Sequence, residues 1–130
     1  MIHTTFPVSC KAVLYNETHT KVLVAEYNPG NFGLPGGHIE GDETPDEAIH
    51  RELGEELGLH GVRLRHGDFI KHRDGKIILY FVGTIDETTE FTIDFNEVSA
   101  ISWVTLDDIR TRAIDIDMYR DFVIENVLSV

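Results

Sequence analysis

Up to residue 44 the apolar positions fall in short runs broken by polar turns, the spacing of β-strands. From 45 they recur every three to four residues, the spacing of a helix. Residues 8–15 and 21–27 predict two strands around a polar turn at 16–20. Residues 28–37 hold two prolines and four glycines, which predicts an irregular loop that keeps side chains out of the way. Thr44, Pro45 and Glu47 then form a capping box, with Thr at the N-cap and Pro at the first helical position. Gly58 stands where a left-handed residue ends a helix, and Leu59 after it can fold back on Leu53. The helix is therefore predicted at 45–57, about 20 Å long. Strands follow at 63–72 and 76–86, joined across Asp74-Gly75 as a tight primed turn, and at 98–104. A short helix opens at Thr105, and 117–128 reads as a last helix with Tyr119, Phe122, Val123 and Val127 on one face. Strands flanked by a few helices predict an α/β fold whose mixed sheet is covered on at least one face.

Composition narrows the function. The 130 residues fit one domain spanning 1–130, and 42% hydrophobic content is ordinary for a globular fold. A net charge of −12 gains nothing from counterion release, which argues against nucleic-acid polymers and anionic membranes. The single cysteine, Cys10, excludes an internal disulfide and a Cys-based zinc site, and on an apolar strand it is expected to be buried and inert. The longest apolar run, 77–82, is far too short to cross a bilayer, and no signal peptide is visible. The expectation is a soluble cytoplasmic domain. Its oligomeric state stays open, a homodimer included.

The acidity is concentrated. Residues 40–58 carry eight carboxylates and one cation, Arg51, so −7 of the −12 lies in 19 residues. On the helix, Ile49, Leu53 and Leu57 form an apolar stripe, while Glu52, Glu55 and Glu56 cluster beside it. Like charges at i,i+4 cost a helix a few tenths of a kcal/mol. Converging hard oxygens suit Mg²⁺ or Mn²⁺. A merely solvated acidic face fits the same run, and capping accounts for Asp46 and Glu47.

Spacing favours the metal. From Gly37 to Leu59 the chain reads Gly, five residues, Glu43, seven residues, Arg51-Glu52-Leu53-Gly54-Glu55-Glu56-Leu57-Gly58-Leu59. With each of seven fixed residues at about 6% usage, a chance match is on the order of one in a billion per start point. This is the Nudix box, and the chain resembles the Nudix hydrolases. The resemblance implies an α/β/α sandwich and a pyrophosphohydrolase of nucleoside diphosphate derivatives assisted by Mg²⁺ or Mn²⁺. It implies Glu52, Glu55 and Glu56 as metal ligands, helped by the backbone carbonyl of Gly36 or Gly37. Arg51 and Glu43 would brace the loop against the helix, Glu40 could hydrogen-bond behind the ligands, and Gly36 and Gly58 would be structural. The family often adds a later glutamate as ligand or general base. Glu97 is the candidate, with Glu90 and Asp94 as rivals, while Glu55 or Glu56 could serve as base instead. A (d)NTP or oxidised (d)NTP is the leading substrate class, with ADP-ribose and dinucleoside polyphosphates as alternatives. A non-catalytic sensing module is disfavoured because every box glutamate is present, and an acidic surface for protein partners explains the charge but not the spacing.

Other residues bear on specificity. Phe32, Tyr27 and Tyr80 could stack on a base, with a core role the alternative, whereas Trp103 reads as core. The basic stretch 60–76, net +3, is read as the outer face of a hairpin in preference to a phosphate handle. The seven histidines lack HxH or HExxH spacing. Gly54 inside the helix costs up to about 1 kcal/mol relative to Ala, which points to close packing.

Overall fold

The structure is a computed structural model that describes residues 7–127. The strands are β1 (Val8–Tyr15), β2 (Lys21–Asn28), β3 (Asn31–Gly33), β4 (Gly36–His38), β5 (Arg65–Lys71), β6 (Ile77–Thr84) and β7 (Ala100–Thr105). The helices are α1 (Pro45–Leu57), α2 (Leu106–Arg110) and α3 (Arg120–Asn126), the last entered through a 3-10 turn at Asp117–Tyr119. Leu128, placed in the last predicted helix, lies outside the described residues.

β1 is central. It pairs in parallel with β6 along all eight residues, which makes the sheet mixed. Alternation along β1 sends Cys10, Ala12 and Leu14 to α1, and Val13 and Tyr15 to the α2/α3 side. The Ile49, Leu53 and Leu57 stripe packs on the first face with Leu23 and Phe81. Ile109, Ile116, Phe122 and Val123 pack on the second. Helices on both faces give the α/β/α sandwich.

Antiparallel β1 and β2 register only at Tyr15↔Val22 and then part. The Asn16 side chain closes their turn, its Oδ1 accepting from the Thr20 and Lys21 amides at 2.9 Å each. Beyond Val22 the fork is filled by the segment expected to be loop: β3 pairs with β2, and β4 pairs with β1 at Ser9–Lys11. Diverging strands leave two rows of backbone donors and acceptors inside the molecule, and residues 31–38 satisfy them.

The hairpin at 72–76 is also not the tight primed turn. His72 N–H donates to Lys76 O at 2.8 Å, and Gly75 N–H to His72 O at 3.0 Å, which makes a three-residue loop. Gly75 takes φ +93° while Asp74 keeps a negative φ, so the left-handed position is single. β7 begins at Ala100, two residues later than predicted, because the Val98 amide is used in a turn, donating to Asp94 O at 3.0 Å. No helix among the described residues is long and apolar enough to cross a membrane.

Candidate active site

Helix α1 presents the acidic residues in a fixed frame. The capping box forms, with Glu47 N–H to Thr44 Oγ1 at 3.1 Å and Thr44 N–H to Glu47 Oε1 at 2.8 Å. Gly58 closes the far end at φ +64°, and a Cβ there would stand 2.8 Å from Thr92 Cβ. Gly54, unexplained by sequence beyond packing, faces the His60 ring, with Cε1 2.9 Å from where a Cβ would sit.

Arg51 ties the box together. It donates to both oxygens of Glu43 at 2.8 and 3.0 Å, a fork-to-fork pair, and to His38 O at 3.1 Å. It also reaches Glu52 at 3.1 Å and Glu55 at 3.2 Å, while Glu40 stands off at 3.9 Å. The Arg51 bond holds the Glu43 carboxyl below its ordinary pKa.

Three carboxylates converge: ligand oxygens of Glu52, Glu56 and Glu97 lie within 4.8 Å of one another. Glu56 is 2% exposed, and its Oε1 accepts the Gly36 amide at 2.8 Å. Burial pushes its pKa up to about 7, with Glu52 and Glu97 adding repulsion and Gly36 and Lys11 opposing. Burial raises Glu52 as well, against the pull of Arg51. Glu97 arrives because its loop docks on the C-terminal carbonyls of α1: Thr92 N–H donates to Leu57 O at 2.8 Å and Asp94 N–H to Glu56 O at 3.1 Å. Asp94 spends an oxygen on the Asn96 amide, and Glu90 is exposed outside the trio. Glu55 also stays outside the trio, half exposed and paired to Arg51.

Gly36 and Gly37 make room. A Cβ on Gly37 would lie 2.5 Å from Glu52 Oε1, and one on Gly36, at φ +140°, would collide with Cys10 O. Cys10 is buried, its Sγ donating to Gly37 O at 3.4 Å, and burial raises its thiol pKa. Hard oxygens that repel one another, held by buried backbone, fit a divalent cation.

A cavity of about 300 Å³ shares Lys11 and Tyr27, both within the field of Glu56, with the surroundings of this trio. Tyr27 and Phe32 line it with Lys11, Asn31, Met118 and Tyr119. Tyr27 is linked to the trio, since burial first and then the Glu56 charge push its pKa upward. Tyr80 is not part of this wall. It is 1% exposed and stacked on Phe122 at 3.9 Å between centroids, so the core alternative holds for its ring. Trp103 packs against the α1-side core. Sequence reasoning passed over Lys11, whose signal was a lone cation inside the apolar run of β1.

Comparison with known proteins agrees with the geometry. The NUDIX domain family matches residues 5–122. A MutT-like protein of Streptomyces ambofaciens is 29% identical over 114 residues, 84% of this chain and 70% of that protein. An 8-oxo-dGTP diphosphatase of Buchnera aphidicola is 32% identical over 91 residues, 70% of this chain and 68% of that one. Among solved structures, the NUDIX domain of Shewanella oneidensis NrtR complexed with ADP ribose superposes with a TM-score of 0.78 at 20% identity, covering 98% of this chain and 89% of that one. With an uninterrupted box, the sandwich that carries it and a match along nearly the whole chain, this protein belongs to the Nudix hydrolase family.

Proposed function

We propose that the chain is a Mg²⁺- or Mn²⁺-dependent pyrophosphohydrolase that cleaves the diphosphate of a (d)NTP or oxidised (d)NTP. The observation that carries this reading is the Glu52, Glu56 and Glu97 trio set beside an aromatic cavity of about 300 Å³, the lower end of small-ligand pocket sizes. Glu52, Glu56 and Glu97 would hold the metal, with Glu55 and the Gly37 carbonyl completing the donor set. A bound divalent cation supplies charge neutralisation for the diphosphate and acidifies water beside it. Gly36 holds Glu56 in place through its amide, and Arg51 keeps Glu52 from swinging out. Tyr27 and Phe32 would flank the base. Proton removal from the attacking water falls to a carboxylate with an open oxygen, Glu55 or Glu97, since Glu56 is buried.

Two neighbours bear on the substrate class: one relative is named as an 8-oxo-dGTP diphosphatase, and a structural neighbour was solved with ADP ribose. The second gives ADP-ribose as the alternative substrate. A small nucleotide in the cytoplasm is the setting that the free Cys10 and the −12 charge support. The test is a nucleotide panel with and without Mg²⁺, run on wild type and Glu56→Gln. We expect metal-dependent release of NMP and pyrophosphate, with at least a hundredfold loss in the variant. Release of AMP and ribose phosphate from ADP-ribose alone would replace the leading reading with the alternative. Undiminished hydrolysis by the variant would overturn the roles assigned to the trio.

A further inference from the structure

Lys11 lines the cavity and lies within the field of two of the trio, Glu56 and Glu52. Its Nζ donates to Leu34 O at 3.2 Å, an oxygen it shares with the Tyr27 hydroxyl at 2.7 Å. The ammonium lies 5.3 Å from the Tyr27 ring centroid and 5.7 Å from that of Tyr119. Among the described residues no carboxylate reaches ion-pair distance of Nζ, although Glu56 and Glu52 both act on it through space. An ammonium has three N–H groups, and one of them is accounted for by Leu34. Two of the chain's four lysines, Lys11 and Lys76, line this one cavity, against a single carboxylate, Asp117. In a chain of net charge −12 that local excess of cations along the wall favours an anion.

The neighbours of Lys11 identify that anion. Lys11 pairs with Gly36 across β1 and β4, the Gly36 amide holds Glu56, and the charges of Glu56 and Glu52 both act on the ammonium. The cavity wall holds the Tyr27 and Tyr119 rings, over which the same ammonium lies. Once cations occupy Glu52 and Glu56, Lys11 loses the carboxylate field that offsets its desolvation. A phosphoryl group entering between the metal and the aromatic walls restores it. We infer that Lys11 binds the phosphoryl group on the nucleoside side of the scissile bond, as a substrate-binding residue that the Nudix box does not include. The inference rests on a nucleoside diphosphate derivative being the substrate.

Equilibrium binding tests it without turnover. The probes are adenosine and guanosine 5′-(α,β-methylene)diphosphates, which resist cleavage at that bridge, each titrated against its parent nucleoside with Mg²⁺ present. Wild type should prefer the diphosphate, and Lys11→Met should shrink that preference at least tenfold while nucleoside affinity and Mn²⁺ affinity stay within about threefold. Lys11→Arg should recover part of it. A preference undiminished in Lys11→Met would overturn the inference and leave Lys11 as a strut beneath Leu34. An equal loss of nucleoside and diphosphate would overturn it too, since that marks a damaged cavity. So would a wild type with no preference for the diphosphate. If the wild type binds the analogues through Lys11 yet hydrolyses no nucleotide, the pyrophosphohydrolase reading fails, and with it the scissile bond, while Lys11 stands as a ligand for a nucleotide phosphoryl group.

Discussion

Replacing Glu56 by Gln should abolish hydrolysis and, in the absence of metal, make the protein more stable. The Gln Oε1 can still accept the Gly36 amide, so geometry is kept and charge is removed. The folded-state pKa of about 7 lies above the ordinary 4.5. Between those values the folded state binds more protons than the unfolded chain, so stability falls as pH rises through that window. At 1.36 kcal/mol per pH unit, the buried charge costs the fold about 3 kcal/mol above pH 7 and nothing below pH 4.5. The attraction of Lys11 is already contained in that pKa, so the variant should gain up to about 3 kcal/mol at pH 8. The assay is denaturant unfolding of both proteins in EDTA at pH 8 and pH 4.5. Because the two chains share every other titrating group, their difference reports this carboxylate together with its coupling to Glu52, Glu97 and Lys11. Added Mg²⁺ should reverse the order, stabilising wild type by about 4.1 kcal/mol at a thousandfold excess over Kd. A variant no more stable than wild type at pH 8, or a gap that persists at pH 4.5, would refute the reasoning.

Further outcomes can be measured. Gly37→Ala should place a methyl against the Glu52 carboxylate and weaken Mn²⁺ binding at least tenfold with little change in melting temperature; unchanged Mn²⁺ affinity in a titration would count against the cradle. Arg51→Ala removes five hydrogen bonds to four partners at once and should cost about 1–3 kcal/mol in unfolding experiments, most of which Arg51→Lys should fail to restore. Gly54→Ala alone should destabilise, because His60 is in the way, yet on a His60→Ala background it should gain up to about 1 kcal/mol of helix propensity; additive effects in the double-mutant cycle would exclude that contact. Glu97→Gln should lower Mn²⁺ affinity about tenfold without unfolding the chain, measured by the paramagnetic signal of free Mn²⁺.

Legibility in the sequence tracked how local each determinant is. Thr44, Glu47 and Gly58 bound α1 at the predicted residues because caps act within one turn. Asp74-Gly75 misled because two- and three-residue hairpin loops share that dipeptide, and only the hydrogen bonds at His72 separate them. β3 and β4 were invisible because they exist to fill a fork between β1 and β2, which no residue of 31–38 announces. Glu97 was reachable only through family resemblance, since its place depends on two amides of its loop finding the last carbonyls of α1. Tyr80 was evenly poised on the sequence, and its Phe122 partner lies 42 positions away.

That docking of Thr92 and Asp94 on Leu57 and Glu56 has a consequence for how the molecule breathes. A helix end ordinarily frays by itself, because its last carbonyls have only water to lose. Here fraying α1 at its C-terminus must also release the 91–98 segment, and lifting that segment bares the helix end. The two should exchange amide protons as one unit, at a common rate well below that of a free loop. Each such opening would dismantle Glu56 and Glu97 together, so occupancy of the acidic trio should slow exchange at Thr92 and Asp94, residues that contribute no ligand of their own.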